Sequence, residues 1–156
     1  MLKDLSNKTD NINIIERDSL SSSLHKWINN GKVNLNGDPI QANLADTTPN
    51  KYDIIVGNPP YFNLKLEDIK TKYPNEDYAA VATGKTNIAS LFLKKYICLL
   101  EDGGYLGFVV PKSLTYIEPW KPTRKFILEN CQIISIFDLR QAFAEVKLEE
   151  IVIIVK

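Results

Sequence analysis

The hydrophobic positions of the chain fall into two patterns, short apolar runs and repeats with helical spacing. The apolar runs predict strands at residues 11–16, 54–56, 105–110, 133–139 and 150–155. The helical repeats predict amphipathic helices at residues 87–100 and 120–131. Strands that alternate with helices are typical of an α/β domain, in which helices pack on a sheet.

An Asn-Pro-Pro-Tyr segment, Asn58 to Tyr61, follows the strand predicted at residues 54–56, which we expect to be buried. Gly57 ends this strand, and Pro59 and Pro60 prevent its continuation because proline fixes φ and lacks an amide proton. The segment therefore predicts a stiff loop at the carboxyl end of a strand. In open α/β sheets, ligands bind at that position.

The chemistry of this loop suits a planar ring that carries an amino group. The side-chain carbonyl of Asn58 and the proline carbonyls are hydrogen-bond acceptors, and Tyr61 offers a flat aromatic face. Two acceptors, one for each N–H, would hold the amine nitrogen with its lone pair toward an electrophile, which is catalysis by positioning. The alternative is a rigid strand-to-helix turn in which Asn58 caps the helix.

Asn58-Pro59-Pro60-Tyr61 after a strand resembles the catalytic motif of S-adenosylmethionine-dependent amino-methyltransferases. The resemblance is to the N6-adenine DNA methyltransferases of restriction–modification systems, and it extends through residues 91–111. It implies a three-layer, Rossmann-like α/β fold with a mixed sheet and one antiparallel strand near the C-terminus. It also implies methyl transfer from S-adenosylmethionine to adenine N6 in DNA. In that reaction Asn58 and the Pro59 carbonyl accept from the amine, and Tyr61 stacks on the base.

The resemblance implies three further site regions. Asp18, followed by Ser19, matches an acidic residue that contacts the adenine end of the cofactor, although Asp18 could instead cap a helix. Phe92 matches an aromatic wall for the cofactor adenine, beside Asn58, but could equally be core packing. Phe143 matches an aromatic residue that stacks on the extruded base, with core filling as its alternative.

Two parts of the resembling fold have no counterpart in the sequence. We find neither the glycine-rich turn that holds the methionine end of the cofactor nor the acid that binds its ribose. Gly103 and Gly104 follow a predicted helix, so we expect them to cap it. Residues 1–156 are therefore expected to be a partial methyltransferase domain with an irregular insertion at residues 24–50. Its cofactor site would be incomplete, and the chain alone would be inactive.

The composition of the chain further limits the binding partners, metal sites and cellular locations that we expect. The 156 residues are 44% hydrophobic and carry no formal net charge. Because phosphate contacts need a basic surface, we expect any DNA-binding surface to lie elsewhere in a parent enzyme. Cys98 and Cys131 are expected to be reduced core residues of a cytoplasmic chain. Two cysteines and one histidine predict no metal site, and no segment has the length of a membrane span. The polar residues 63–86 would either close over substrate or form a solvated helix and loop.

Other interpretations stay open at this point. Protein glutamine and rRNA guanine methyltransferases have a similar loop, and a non-catalytic remnant that acts as a binding module would also retain it. If strands are missing, the strand at residues 54–56 has an unpaired edge. We expect residues 12–15 to pair with residues 53–57, or two copies of the chain to meet edge to edge as a homodimer.

Overall fold

The computed structural model describes residues 18–20, 51–139 and 149–156. The chain divides into two compact units, Met1–Asn50 and Lys51–Lys156. The described part of the second unit contains six strands, three α-helices and two short 3-10 helices, at Lys112–Thr115 and Glu118–Trp120. The strands are β1 (Tyr52–Gly57), β2 (Asn63–Lys65), β3 (Lys85–Asn87), β4 (Leu100–Pro111), β5 (Ile133–Asp138) and β6 (Glu150–Val155). The helices are α1 (Leu66–Lys72), α2 (Ile88–Cys98) and α3 (Lys121–Asn130).

Four strands form a mixed sheet in the order β1-β4-β6-β5. Strand β1 is parallel to β4, and β6 is antiparallel to both of its neighbours. A parallel pair needs a long crossover connection, and here it contains β2, α1, β3 and α2. The predicted α/β fold, with a mixed sheet and an antiparallel strand near the C-terminus, is confirmed. Strands β2 and β3 form a separate antiparallel pair.

The core lies on one face of the sheet, where alternate residues of β4 and β6 point toward α2 and α3. Period-two alternation places every second side chain on the same face. The side chains that meet there are Leu106, Phe108 and Val110 from β4, Ile151, Ile153 and Val155 from β6, Leu93 and Ile97 from α2, and Ile127 from α3. All of them are at most 7% exposed. A buried hydrogen bond of 2.9 Å from Thr123 Oγ1 to Ser90 Oγ joins the two helices.

The opposite face of the sheet carries large apolar side chains that are open to solvent. Ile54 is 69% exposed and Val56 is 77% exposed, so the prediction of a buried strand at residues 54–56 is wrong. Ile54 is opposite Tyr105 on the neighbouring strand β4. Phe137 of β5 is opposite Val152 of β6, and Val152 is opposite Val109, which is on the same face of β4 as Tyr105. Phe137 therefore lies on this face as well. We call this surface, formed by Ile54, Val56, Tyr105 and Phe137, the open face. No described helix covers it.

Strand β1 pairs with β4 on one side, and no described strand pairs with its other edge. The strand predicted at residues 11–16 lies outside the described residues. Its pairing with residues 53–57 therefore stays a prediction.

Strand β4 begins earlier than the sequence predicted, because Gly103 does not cap a helix. Helix α2 is capped by Leu99, and Gly103 lies inside β4 with φ +86°. A Cβ on Gly104 would lie 2.9 Å from the Tyr52 carbonyl oxygen, so glycine lets β4 approach β1 closely. The register of the pair shifts between Tyr52 and Ile54, beside this contact. The two glycines therefore shape a strand pairing.

Helix α3 begins as predicted, with Pro122 in its first turn and Trp120 buried just before it. Arg124 on this helix is half-buried. Its guanidinium donates to the carbonyl oxygens of Leu114 and Ile117, at 2.9 and 2.7 Å. Cys98 is also not a core residue: it is exposed at the end of α2, and both cysteines are free.

Candidate functional site

The Asn-Pro-Pro-Tyr loop lies where β1 ends at the carboxyl edge of the sheet. Gly57 is opposite Phe108, and a Cβ at Gly57 would lie 3.0 Å from the Phe108 ring. Within the loop Pro59 is buried and Tyr61 half-buried, whereas Asn58 and Pro60 are exposed. The Phe62 carbonyl then accepts from the amide of Ile88, at 2.8 Å. The loop is therefore fixed between the end of β1 and the start of α2.

The structure brings Asn58 and Tyr61 into direct contact. The Tyr61 hydroxyl donates to Asn58 Oδ1 at 2.5 Å. A carbonyl oxygen has two lone pairs, so Asn58 keeps one for a ligand amine. Burial, followed by the charge of Glu150, raises the pKa of Tyr61 to about 12, so the hydroxyl stays protonated and donates.

Sequence reasoning assigned only the ring of Tyr61 to the site and missed its hydroxyl. The signal was present in the motif. Two consecutive prolines with fixed φ bend the chain between positions 58 and 61, so that their side chains meet. The capping alternative for Asn58 does not apply, because the chain enters strand β2 after the loop rather than a helix.

Phe92 lies on α2 and stacks on Tyr96, with ring centroids 6.0 Å apart and an angle of 14° between the ring planes. Tyr96 in turn meets Phe108 edge to face, at 5.9 Å. Phe92 packs against the core but is only half-buried. It therefore has a core role, and part of its ring stays accessible.

Asp18 and Ser19 belong to the first unit. Asp18 Oδ1 accepts a hydrogen bond from the Leu20 amide at 3.1 Å. This contact is a local turn. The helix that Asp18 could cap lies outside the described residues, so both roles of Asp18 stay predictions. Phe143 lies outside the described residues, so its role stays a prediction.

A group of charged side chains surrounds the ends of β4, β5 and β6 at the same edge of the sheet. The Lys112 ammonium lies 3.0 Å from Asp138 and 3.2 Å from Glu149. Hydrogen bonds to Asp138 and then Glu149 raise the pKa of Lys112. Glu150, the first residue of β6, is opposite Pro111 and only 9% exposed. Sequence reasoning missed these residues, although two glutamates directly before an apolar strand were a visible signal.

The segment after the motif forms the expected helix and loop, which are mostly exposed but anchored by a few buried side chains. Helix α1 buries Ile69, and the rings of Tyr73 and Tyr78 meet edge to face at 6.0 Å. Lys95 of α2, only 3% exposed, forms an ion pair of 3.1 Å with Glu76. This pair fixes the segment to the helix that follows the motif.

The described residues fit only part of an S-adenosylmethionine site. Phe92 offers an accessible aromatic surface and Asn58 an acceptor, which suit an adenine ring. Residues 51–139 and 149–156 contain no glycine-rich turn after a strand for the methionine end. No three His, Cys, Asp or Glu side chains in the described ranges are grouped to hold a metal ion. None of the described helices is both long and apolar enough to cross a bilayer.

The fold and the loop place this chain among proteins with the class I S-adenosylmethionine-dependent methyltransferase fold. A Listeria monocytogenes protein assigned to that class superposes with a TM-score of 0.54 at 20% identity, over 73% of this chain and 33% of that one. A modification subunit assigned to a type I restriction enzyme of Vibrio vulnificus superposes with a TM-score of 0.53 at 20% identity, over 68% and 23%.

The chain belongs to the Eco57I restriction-modification methylase family, whose model matches residues 2–143. The type II restriction enzyme and methyltransferase RM.Eco57I of Escherichia coli is 31% identical over 102 residues, 60% of this chain and 10% of that protein.

Two other relatives, both methyltransferases, have similar sequence identities to this chain. M.BstVI of Geobacillus stearothermophilus is 32% identical over 92 residues, 58% of this chain and 16% of that protein. M.TthHB8I of Thermus thermophilus is 28% identical over 112 residues, 65% and 25%. The chain thus spans between a tenth and a quarter of these relatives.

Proposed function

We propose that this chain supplies the amine-binding loop of a restriction–modification enzyme that methylates adenine N6 in DNA. The observation that carries the proposal is the pair formed by Asn58 and Tyr61 at the carboxyl end of β1. The loop presents an oriented acceptor and an aromatic ring at the edge where open α/β sheets bind ligands. One relative is a type II restriction enzyme and methyltransferase and another is a type II methyltransferase, and restriction enzymes cut DNA, which supports DNA as the substrate.

In this proposal the chain positions the amine. One N–H donates to Asn58 Oδ1 and the other to the Pro59 carbonyl, so the nitrogen lone pair points away from both acceptors. The adenine ring stacks on Tyr61, with Phe143 on its other side. Base stacking on an aromatic side chain is worth about 1–3 kcal/mol, which offsets part of the cost of extruding the base. The rigid prolines hold these groups in place before the base arrives.

S-adenosylmethionine supplies the methyl group when it is bound. Phe92 would contact its adenine, while Asn58 borders both the cofactor and the base. Because the described residues fit only the adenine part, we propose that residues 1–156 alone bind the cofactor weakly and do not turn over. DNA contacts outside the base pocket would come from other parts of a longer enzyme.

The proposal is tested by comparing Asn58→Ala with a matched control, Asn63→Ala, in the protein that carries this chain. Asn63 is another exposed asparagine close to the loop, on β2. DNA from expressing cells is digested to nucleosides, and N6-methyladenosine is measured. We expect Asn58→Ala to abolish the product and Asn63→Ala to retain it. Near-normal product with Asn58→Ala would refute the role of the loop. If methyl groups were found in a protein glutamine or an rRNA guanine and none in DNA, DNA would be the wrong substrate and the methylated molecule would take its place.

We also propose that residues 12–15 pair with the outer edge of β1 and that, where they do not, isolated chains associate through this edge. This edge has no pairing partner among the described strands, and unpaired strand edges readily pair with another chain. Sedimentation velocity over a range of protein concentrations checks this association. A single monomeric species at all concentrations would contradict it.

A further inference from the structure

Glu150 is a buried carboxylate at the edge of the sheet where the amine-binding loop lies. It is 9% exposed, and its backbone is fixed by pairing with Pro111 and by a hydrogen bond from the Leu139 amide to its carbonyl, at 3.1 Å. Its side chain makes no hydrogen bond or ion pair with any described residue. A carboxylate that no described protein group pairs with attracts a cationic ligand, because opposite charges at short range stabilise each other.

The carboxylate oxygens of Glu150 are also reachable. In the part of the chain that the structure describes, every fully enclosed side-chain nitrogen or oxygen has a hydrogen-bond partner. Since the Glu150 carboxylate has none, its oxygens must open to solvent. The neighbouring Glu149 is different, because it is 57% exposed and bound to Lys112 at 3.2 Å. Glu149 is thus a matched control for Glu150.

The charge of Glu150 reaches the loop. It contributes to the raised pKa of Tyr61, together with burial, which is the larger cause. The Tyr61 hydroxyl is in turn 2.5 Å from Asn58 Oδ1, the acceptor of the proposed amine. A charge that acts on the phenol therefore also acts on a group bound to Asn58, because Coulomb energy falls only with the inverse of distance.

We propose that Glu150 stabilises the positive charge that develops on the target amine. This inference rests on the proposed function. When the amine forms its bond to the methyl carbon, the nitrogen becomes positively charged. The bond between that carbon and sulfur breaks, and its electron pair stays on sulfur. The nitrogen then releases a proton to solvent and is neutral again. A nearby carboxylate lowers the energy of the charged stage and leaves binding of the neutral base almost unchanged.

The test uses binding to the full 156-residue chain, measured by NMR titration. The probes are adenosine, which is neutral, and 1-methyladenosine, whose cation at neutral pH is delocalised onto the exocyclic nitrogen. We expect Glu150→Gln to weaken binding of the cation about two- to six-fold, the effect of one charge at about 4–10 Å in water. Binding of adenosine should not change, and Glu149→Gln should leave both probes unaffected.

A second measurement follows the ionisation of Tyr61 in protein labelled with 13C-tyrosine. The other charged groups at this edge are Lys112, Asp138 and Glu149. We expect Glu150→Gln to lower the pKa of Tyr61 and Glu149→Gln to leave it nearly unchanged. Equal urea midpoints for the variants and the natural chain establish that Glu150→Gln is folded.

The outcomes separate the inference from the function on which it rests. Binding of both probes by the natural chain, with no selective loss in Glu150→Gln, overturns the role of Glu150 and leaves the proposed function in place. Binding of neither probe removes the proposed base site and the inference with it. An unchanged pKa of Tyr61 in folded Glu150→Gln would also overturn the inference, because the two groups would then be too far apart.

Discussion

The open face of the sheet predicts that two chemically identical substitutions have very different effects on stability. Val56 on β1 is 77% exposed, whereas Val110 on β4 is fully buried. Threonine has almost the shape of valine and a good strand propensity, so Val→Thr replaces a methyl group by a hydroxyl without opening a cavity. Any difference between the two variants therefore reports the environment of the side chain.

The magnitudes follow from these exposures. Full burial of a valine side chain is worth roughly 1.5–3 kcal/mol. Since about a quarter of Val56 is hidden, Val56→Thr should cost at most about 0.3–0.7 kcal/mol. Val110→Thr must bury a hydroxyl in the core, which costs about 1–3 kcal/mol.

The assay is urea unfolding followed by circular dichroism, at two protein concentrations at least ten-fold apart. A cost for Val56→Thr as large as that for Val110→Thr would refute the reasoning, because the open face would then be covered in solution. A cost that appears only at the higher concentration would identify a second copy of the chain as the cover, since association stabilises by mass action.

Four further predictions concern the site and the core. In the protein that carries this chain, Asn58→Ala should lower the methylation rate by about 10²–10³ while leaving cofactor binding largely in place, and stopped assays with cofactor titration check both. Tyr61→Phe should lower the methylation rate only about two- to ten-fold, which is the effect of losing one hydrogen bond. Tyr61→Ala should lower the rate more, because stacking on the base is lost too. Equal rates for the two variants would contradict this expectation. Calorimetry on the isolated chain should show no low-micromolar binding of S-adenosylmethionine. Thr123→Val should destabilise the fold by about 1–3 kcal/mol, because Ser90 loses its buried partner, and Ser90→Ala should restore part of that loss.

Periodicity predicted the four strands of the main sheet and the helices α2 and α3, because each of them has to bury one face, but it did not predict β2, β3 or α1. The apolar runs at residues 105–110, 133–139 and 150–155 fall on β4, β5 and β6 with ends that differ by few residues. The same rule failed for residues 54–56, since an apolar run shows that a side chain prefers burial but not that another element covers it. Gly103 was misassigned for a related reason: a positive φ suits a helix cap and an irregular strand equally well.

The candidate site was predicted only where its chemistry is local in sequence. Asn58 and Tyr61 are three positions apart, so a motif contains both of them. Glu150 is brought to the same edge by the pairing of β4 with β6, which a motif does not specify. Long-range pairing of this kind depends on the register of the whole sheet, and no residue near position 58 encodes it.

Lys112 has a consequence for how this protein can change during evolution. Its ammonium connects Asp138 and Glu149, and its amide donates to the Glu149 carbonyl at 2.9 Å. The last residue of β5 is thereby tied to the residue just before β6, independently of the sequence between them. Because the cost of closing a loop grows slowly with its length, insertions or replacements in that connection should leave the sheet register intact. Selection can then vary the sequence of this connection while the fold that supports it stays constant.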